Sequence, residues 1–410
     1  MDLQQKLELL NRISLDLNQV KDLDILLERI LANVRLFLDA DAGSIYLKEG
    51  DRLRFSHSQN NTLQKQLPPG DKLIYNTYTI PVDTGSIAGY VAKNRKTISI
   101  PDVYNLPKSA PYYFDSEFDR LSGYRSRSIL TVPITNQRND TLGVMQLINC
   151  MDSGGNIIPF PDSDQPLVIH FASNAGLAIE RAQATRNTLL RMISMAELRD
   201  PKETGAHVNR VGAYSVEIYE AWARAAGVSE EEIEHNRDLL RMAAMLHDVG
   251  KVAISDIILK KPARLTIDEF EIIKSHTWLG AGLFKDGQSD FDSVAMEVAL
   301  NHHEKWDGTG YPGLSDEINE IHNKLFPNED IRHTAKKGKD IPLFGRIVAI
   351  ADVYDALCSQ RVYKKPWDEY EIINEIKKCS GRHFDPDIVA AFFRCYDILK
   401  NISQKYPDHQ

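Results

Sequence analysis

The chain has 410 residues, of which 42% are apolar and 26% are charged, so it is long enough for two or three globular domains. This composition excludes a disordered or fibrous protein, and a formal net charge of -9 argues against a non-specific nucleic-acid binder. The sequence has no apolar run of transmembrane length, and its first residues lack the basic and apolar regions of a signal peptide. We therefore expect a cytoplasmic protein with reduced cysteines and no membrane or nucleic-acid partner.

The first 160 or so residues combine helical and strand patterns. Apolar spacing between Leu3 and Asp39 predicts one short and one longer helix. Short strands and turns follow, with a small helix at Ser86 to Lys93 and the clearest strands at Ser128 to Ile134 and Thr141 to Asn149. These elements predict an α+β domain with an antiparallel sheet flanked by helices.

Four segments of this region resemble GAF domains, the regulatory modules of cyclic-nucleotide phosphodiesterases. They are Thr84 to Ala92, Ile100 to Tyr104, Gly123 to Ile134 and Leu142 to Asn149. The resemblance covers roughly residues 22 to 182 and implies a small-molecule pocket over the sheet, in some members for a cyclic nucleotide. Asn149 is followed by Cys150, where the nucleotide-binding pattern would place Lys. A dimerising module whose pocket is empty or filled by side chains is the alternative.

One long helix is predicted from Asp164 to Arg199. Pro166 suits its first turn, apolar residues recur along it, and no Gly or Pro follows Gly176. A helix of that length spans about 50 Å and cannot stay within one small core. We expect it to join two domains and to pair with a second copy in a parallel homodimer; a solvated linker is the alternative.

Histidines and carboxylates recur through the helical half that follows Arg199. Glu203 and His207 are four residues apart and would share one helix face. His247 and Asp248 end an apolar helix, with Gly250 as a cap. The candidate metal ligands are Glu203, His207, His247, Asp248, His276, His302, His303 and Asp352.

Three further features favour a metal site. His276 is expected within the amphipathic helix that contains Phe270. Asp352 interrupts an apolar helix, where burial of an unpaired acid is costly and calls for a cation. His302 and His303 end another apolar run, and a loop rich in Gly and Pro follows, which can fold close to them.

Eight N and O ligands without a thiolate exceed what one octahedral ion can use. They indicate two or three ions, of iron or manganese type rather than structural zinc. Several ions suit phosphate chemistry, because two metals can activate a water nucleophile and polarise the phosphoryl oxygens.

The same residues resemble the HD-GYP phosphodiesterases of the HD superfamily, which hydrolyse cyclic di-GMP. The motifs that carry the resemblance span about residues 198 to 400. They are Arg199-Asp200, Thr204-Gly205-x-His207, His247-Asp248 with Gly250-Lys251, His302-His303-Glu304, Asp307 to Pro312, Ile341 to Leu343, Ala351 to Leu357, Arg361-x-Tyr363-Lys364 and His383 to Pro386.

The resemblance implies a role for each matching residue. The seven candidates other than Glu203 would ligate the metals, and Glu203 matches the extra ligand of members with a third ion. Lys251, beside the ligand Asp248, would act at the scissile phosphate. Lys251, Tyr311, Arg361 and Lys364 would hold the dinucleotide.

Some neighbours are expected to be structural. Glu304 and Asp307 would orient the loop or a ligand, and His383 would pack within its motif. Residues 316–340 form an insertion relative to the family, either a surface excursion or a partial lid over the substrate.

We therefore expect a metal-dependent cyclic di-GMP phosphodiesterase that yields pGpG, and GMP if a third ion is bound, under control of a GAF sensor. The alternatives are an inactive cyclic di-GMP-binding scaffold and an HD phosphohydrolase of another nucleotide. The predicted parts are an N-terminal helix over 1–21, the GAF domain over 22–163, a dimerisation helix over 164–198, the HD-GYP domain over 199–402 and a tail over 403–410.

Overall fold

The computed structural model describes residues 19–68, 78–197, 205–287, 289–312, 336–359 and 367–407, together with five isolated residues: Ile13, Leu17, Lys72, Leu73 and Tyr75. The chain divides into two compact units, Met1–Asn187 and Thr188–Gln410. Within the described ranges, no helix combines the length and the apolar character needed to cross a membrane.

The first unit is an α+β domain. Its elements in chain order are α1 Leu23–Phe37, β1 Ala40–Glu49, β2 Arg52–Asn60, α2 Asn61–Gln64, β3 Thr79–Pro81, α3 Ile87–Asn94, β4 Ile98–Ile100, α4 Glu117–Ser122, β5 Ile129–Thr135, β6 Thr141–Met151 and β7 Ile157–Ile158, after which α5 runs over Gln165–Glu197. The predicted antiparallel sheet, small helix and long helix are confirmed. The shorter of the two predicted N-terminal helices lies mostly outside the described residues.

The sheet has seven strands in the order β3-β2-β1-β6-β5-β4, with β7 paired to β6, and each strand pairing is antiparallel. Helices α1 and α5 cover one face, where Leu26, Ile30, Ile45, Val132 and Phe171 are buried together. Helix α3 packs on the opposite face. Helix α1 begins where it does because Asp22 accepts hydrogen bonds from two amides of its first turn.

Asn149 is a buried structural link rather than an open ligand-binding side chain. It has a left-handed φ of 59° at the end of β6. Its Nδ2 donates to the Tyr124 hydroxyl and the Arg125 carbonyl at 2.9 and 2.8 Å, and its Oδ1 accepts from the Arg127 amide at 2.7 Å. These bonds fasten the segment before β5 to β6.

The second unit contains only helices and one isolated bridge among its described residues. Its α-helices are α6 Gly205–Ala226, α7 Glu230–Met245, α8 Asp256–Leu259, α9 Ile267–Lys274, α10 His276–Gly282, α11 Asp290–Asn301, α12 Leu343–Cys358, α13 Glu369–Cys379, α14 Pro386–Arg394 and α15 Tyr396–Lys405. Side chains of α6, α7, α11, α12 and α14 share one core, represented by Tyr214, Leu240, Val298, Ile350 and Phe392. The predicted all-helical fold of this half is confirmed.

Two local predictions about this unit are wrong. His276 is not within the helix of Phe270, because α9 ends at Lys274 and His276 begins α10. Gly250 does not cap a helix; it lies in a 3-10 turn, Val249–Ala253, and a Cβ there would be 1.9 Å from the His276 carbonyl oxygen.

We predict that Asn149→Ala destabilises the first unit by about 2 kcal/mol more than Asn139→Ala does. Both asparagines have a left-handed φ, of 59° and 63°, so both substitutions carry the same backbone strain. Only Asn149→Ala also removes three side-chain hydrogen bonds, those with Tyr124, Arg125 and Arg127. Calorimetry with hydrogen exchange at the Arg127 amide would measure the difference, and equal losses for the two variants would contradict the structural role of this side chain.

Candidate metal centre

The structure brings seven of the eight predicted ligands into two neighbouring groups. Asp248, His276, His302 and His303 form the first group, and His207, His247 and Asp352 form the second. In each group the donor atoms lie within 4.8 Å of one another. The eighth candidate, Glu203, lies outside the described residues.

The first group surrounds one oxygen of a carboxylate. Asp248 Oδ1 is 3.0 Å from His276 Nε2 and 3.6 Å from His302 Nε2, and these two nitrogens are 3.4 Å apart. The Oδ1 atom is buried and has no hydrogen bond of acceptable geometry. A buried carboxylate oxygen among imidazole nitrogens is the arrangement expected where a cation binds.

The second group adjoins the other oxygen of the same carboxylate. His247 Nε2 is 3.2 Å from Asp248 Oδ2 and 4.0 Å from Asp352 Oδ1, and His207 Nε2 is 3.7 Å from Asp352 Oδ1. Asp248 therefore faces both groups, one with each oxygen.

Three of the histidines are oriented by the ends of helices. The last carbonyls of a helix have no partner within it. His247 Nδ1 is 2.8 Å from the Ala244 carbonyl oxygen at the end of α7, and His276 Nδ1 is 2.6 Å from that of Ile273 at the end of α9. His302 Nδ1 lies 3.0 Å from the Ala299 carbonyl oxygen at the end of α11. Because a carbonyl only accepts, each Nδ1 carries the proton, which places the lone pair on Nε2 toward the centre.

His207 is oriented by a side chain instead. It lies in the first turn of α6, and its Nδ1 is 2.9 Å from Asp355 Oδ2. The carboxylate accepts a hydrogen bond from the Nδ1–H group, so this histidine also presents Nε2 to the centre.

Burial favours the metal-binding form of two of the histidines. It lowers the pKa of His302, and it lowers the pKa of His303 well below the ordinary value, with a further contribution from neighbouring His302. Burial alone would raise the pKa of Asp248, but the Lys251 charge and the interaction with His247 outweigh it and hold that pKa well below its usual range. Neutral imidazoles and an ionised carboxylate are the required ligand states.

Lys251 lies beside the shared carboxylate. Its Nζ is 2.7 Å from Asp248 Oδ2, in the 3-10 turn that follows the His247-Asp248 pair. The turn is held close by Gly250, against which the first turn of α10 packs without room for a Cβ. Lys251 and His276 are therefore positioned by the same contact.

The loop after His303 folds back onto the centre, as its glycines predict. The Tyr311 amide donates to the His303 carbonyl at 3.1 Å, and a Cβ at Gly310 would be 2.2 Å from the Lys305 nitrogen. The Tyr311 ring lies 4.6 Å from the His303 ring, with 30° between their planes. Tyr311 thus forms one wall of the centre.

The sequence did not single out the next part of this wall. Phe270 is 44% exposed, and its ring lies edge-on to Tyr311 at 6.2 Å. Lys274 Nζ lies 5.2 Å from the Phe270 ring centroid and 5.7 Å from that of Tyr311. An exposed aromatic residue followed four residues later by Lys, just before a candidate ligand, is the pattern that could have indicated it.

The remaining predicted residues fall in three classes. Arg361 and Lys364 lie outside the described residues, as does most of the 316–340 insertion. Asp307 accepts hydrogen bonds from the amide and hydroxyl of Thr309 and so orients the loop. Glu304 is buried and follows the candidate ligands His302 and His303 in the chain. His383 stacks on Phe384 at 4.3 Å, which is the structural packing predicted for it.

The donors fit a borderline divalent metal. Each group offers imidazole nitrogens and carboxylate oxygens, without a thiolate among the described residues of either group. This donor set suits iron, manganese or zinc in a catalytic site, and differs from the thiolate-rich sets of structural zinc.

Two regions of the chain match known protein families. Residues 22–179 match the GAF domain and residues 204–357 match the HD domain, while a second HD-domain description matches residues 333–388. All seven gathered residues fall within the 204–357 match.

Several curated relatives are similar to part of this chain. A 3'3'-cGAMP-specific phosphodiesterase 2 of Vibrio cholerae is 37% identical over 235 residues, which is 57% of this chain and 39% of the relative. A cyclic di-GMP phosphodiesterase of the same organism is 37% identical, covering 56% of this chain and 45% of the relative. One of Thermotoga maritima is also 37% identical, covering 54% and 51%. The chain thus spans about half or less of the length of these relatives.

We predict that Gly250→Ala lowers metal affinity and destabilises the second unit by about 1 to 3 kcal/mol, since the added Cβ must push α10 and His276 away from Asp248. Val252→Ala, in the same 3-10 turn but 39% exposed, is the matched control. Chelator competition and thermal unfolding would measure both effects. Unchanged metal affinity in Gly250→Ala would show that this contact does not position His276.

Proposed function

We propose that this chain, which joins a GAF domain to an HD domain, is a metal-dependent phosphodiesterase that opens cyclic di-GMP to the linear dinucleotide pGpG. One observation carries the proposal: two groups of N and O donors lie side by side and share the Asp248 carboxylate. A carboxylate that faces two donor groups suits two ions held a few Å apart, which is the arrangement of two-metal phosphoester hydrolysis.

The seven gathered residues are proposed as the ligands of two ions. His276, His302 and His303 would hold one ion and His207, His247 and Asp352 the other, with Asp248 between them. Mixed imidazole and carboxylate donors suit both iron, which is the proposed metal, and manganese, which is the alternative. Glu203 would add a ligand for a third ion and so permit further cleavage to GMP.

When bound, the ions would supply Lewis acidity and lower the pKa of a water nucleophile. The protein's own contribution begins with Lys251. Its Nζ, 2.7 Å from Asp248 Oδ2, lies where a phosphoryl oxygen between the two groups would develop negative charge. An ammonium fixed there in advance stabilises that charge without reorganisation, and it can also donate a proton to the departing ribose oxygen.

The wall formed by Tyr311, Phe270 and Lys274 is the proposed surface for the rest of the dinucleotide. Aromatic faces stack on bases, and an ammonium favours the O6 and N7 acceptors of guanine. Arg361 and Lys364 are proposed as additional phosphate or base contacts. Tyr311 joins this surface to the metal ligands through its contact with His303.

Cyclic di-GMP is the proposed substrate because several similar proteins are named cyclic di-GMP phosphodiesterases. A second candidate is 3'3'-cGAMP, which names the activity of the Vibrio cholerae relative with 57% coverage of this chain. Both are cyclic dinucleotides with the same phosphodiester ring, and they differ in one base.

The first unit is proposed as a GAF sensor and dimerisation module with an unidentified small-molecule ligand. Helix α5 leaves apolar side chains exposed along its length, at Ile169, Leu177, Met192 and Met195. Pairing of this helix with that of a second copy would cover them. The engaged side chain of Asn149 makes a cyclic nucleotide a less suitable ligand for this domain.

The substrate is tested by incubating anaerobically purified protein, loaded with Fe²⁺ or Mn²⁺, with cyclic di-GMP, 3'3'-cGAMP and a nucleoside triphosphate, and separating the products. We expect pGpG from cyclic di-GMP at the highest kcat/KM. Tight cyclic di-GMP binding without product would indicate an inactive scaffold. Faster turnover of the triphosphate would overturn the proposal in favour of a different HD phosphohydrolase.

Two variants separate metal binding from chemistry. His303→Ala should lower both metal content and turnover, because it removes a ligand of the first group. Lys251→Ala should keep its metal and lose about 100-fold in kcat, since it removes only transition-state stabilisation. Lys260→Ala, an exposed lysine paired with Asp256, is the matched control and should retain both. Elemental analysis of each variant, together with its turnover rate, separates the two effects. A metal-free Lys251→Ala would disprove the role assigned to Lys251.

A further inference from the structure

Asp355 lies one helical turn beyond Asp352 on α12 and is almost completely buried, with 1% of its surface exposed. Both of its oxygens are engaged. Oδ2 is 2.9 Å from His207 Nδ1, and the two oxygens are 2.6 and 2.9 Å from Nε and Nη2 of Arg210. The Ser359 hydroxyl lies 3.2 Å from Oδ2. The hydrogen bonds from Arg210 and Ser359 thus fix the orientation of the carboxylate relative to the His207 imidazole.

Arg210 connects this carboxylate to the end of α15. It is buried on α6, one turn after His207, and its Nη1 donates to the Tyr406 carbonyl at 2.8 Å. Tyr406 immediately follows α15, where carbonyl oxygens lack a partner within the helix and a cation is favoured. Arg210 therefore donates hydrogen bonds both to Asp355 and to the carbonyl at this helix end.

A second buried arginine holds the same residue. Arg241 Nη2 is 3.4 Å from the Tyr406 hydroxyl, and its guanidinium carbon is 5.9 Å from the Tyr406 ring centroid. Tyr406 is therefore fixed through its carbonyl, its hydroxyl and its ring.

Burial of this network is costly, so its retention calls for a function. A buried ion pair adds little net stability compared with apolar packing of the same volume. The ion pair instead fixes orientation, because the planar guanidinium orients the carboxylate and the carboxylate orients the imidazole.

We propose that Asp355 is a positioning residue for His207, and that the contact of Arg210 with Tyr406 makes the end of the last helix part of the support of the metal centre. By accepting a hydrogen bond from Nδ1, Asp355 holds Nε2 of His207 toward Asp352. Nδ1 of His247, His276 and His302 instead faces a backbone carbonyl at the end of α7, α9 or α11. His207, in the first turn of α6, is oriented by the Asp355 carboxylate.

This inference rests on the proposed metal centre and is tested on the full chain by metal binding, independently of any substrate. Asp355→Asn keeps the size of the side chain but removes its charge and offers an amide group to Arg210. We expect it to weaken binding of the ion at His207, His247 and Asp352 by about 10- to 100-fold. The ion at the His276, His302 and His303 group should bind as before. The metal content measured by elemental analysis after dialysis should fall by about one ion per chain.

A second variant guards against loss of folding. Arg210→Lys keeps the positive charge but cannot bridge Asp355 and the Tyr406 carbonyl, and it should weaken the same ion by a smaller factor. Glu220→Gln is the matched control. Glu220 is on the same helix and pairs with buried Arg237 at 3.3 Å, but lies about 20 Å along the helix from His207.

The outcomes separate the two proposals. Selective loss of one ion in Asp355→Asn and Arg210→Lys, with full metal content in Glu220→Gln, supports the positioning role. Equal metal content and affinity in Asp355→Asn and the unaltered protein would overturn it while leaving the proposed function intact. Equal metal loss in Glu220→Gln would assign the effect to general stability and also overturn it. No metal in the unaltered protein would contradict the proposed function itself.

Discussion

The Asp248 carboxylate is the group on which the second half of the molecule depends. Its two oxygens face different sets of imidazole nitrogens, and Lys251 lies 2.7 Å from one of them. A charge at this depth is tolerated only when partners surround it, and in this structure Asp248 is surrounded by imidazole nitrogens and the Lys251 ammonium. Such a site gains most from bound cations, because they add positive charge beside both Asp248 and Asp352.

The surrounding helices provide orientation. Three histidines follow the ends of helices and donate to carbonyls that the helices leave without partners, so one structural feature satisfies the backbone and aims the side chain. His207 lies in the first turn of α6, and its orientation depends on the Asp355 carboxylate instead. The Gly250 contact, the fold of the loop at Gly310 and the buried arginines then fix the distances between these elements.

Much of this could be predicted from the sequence, and the limits have physical causes. Strand and helix patterns predicted the antiparallel sheet, the long helix and the helical second half, whereas β3, β4 and β7 are too short to give a periodic signal. The seven gathered residues were candidates because of their residue types and their positions in helices, and the motif resemblance then assigned them to one centre. Which of them share a group depends on how helices pack, which spacing along the chain does not encode. Asp355 is in a motif already noted, but its role required knowing that its carboxylate faces His207 and Arg210.

The two units combine different physical tasks in one chain. The first has a sheet whose buried hydrogen bonds, such as those of Asn149, fasten its segments, while the second concentrates charge at one polar centre. Coupling between them would require a ligand of the first unit to favour one state of the second. Helix α5, which begins in the first unit and carries exposed apolar residues, is the element to examine for that coupling.

Anomalous diffraction from crystals of the full chain, grown with Mn²⁺ or Fe²⁺ and recorded at the absorption edge of the metal, tests the two-ion centre most directly. Two peaks about 3.5 to 4 Å apart are expected, one on each side of the Asp248 carboxylate, with His276, His302 and His303 around one and His207, His247 and Asp352 around the other. A single peak bound by one group, or peaks that do not share Asp248, would contradict it.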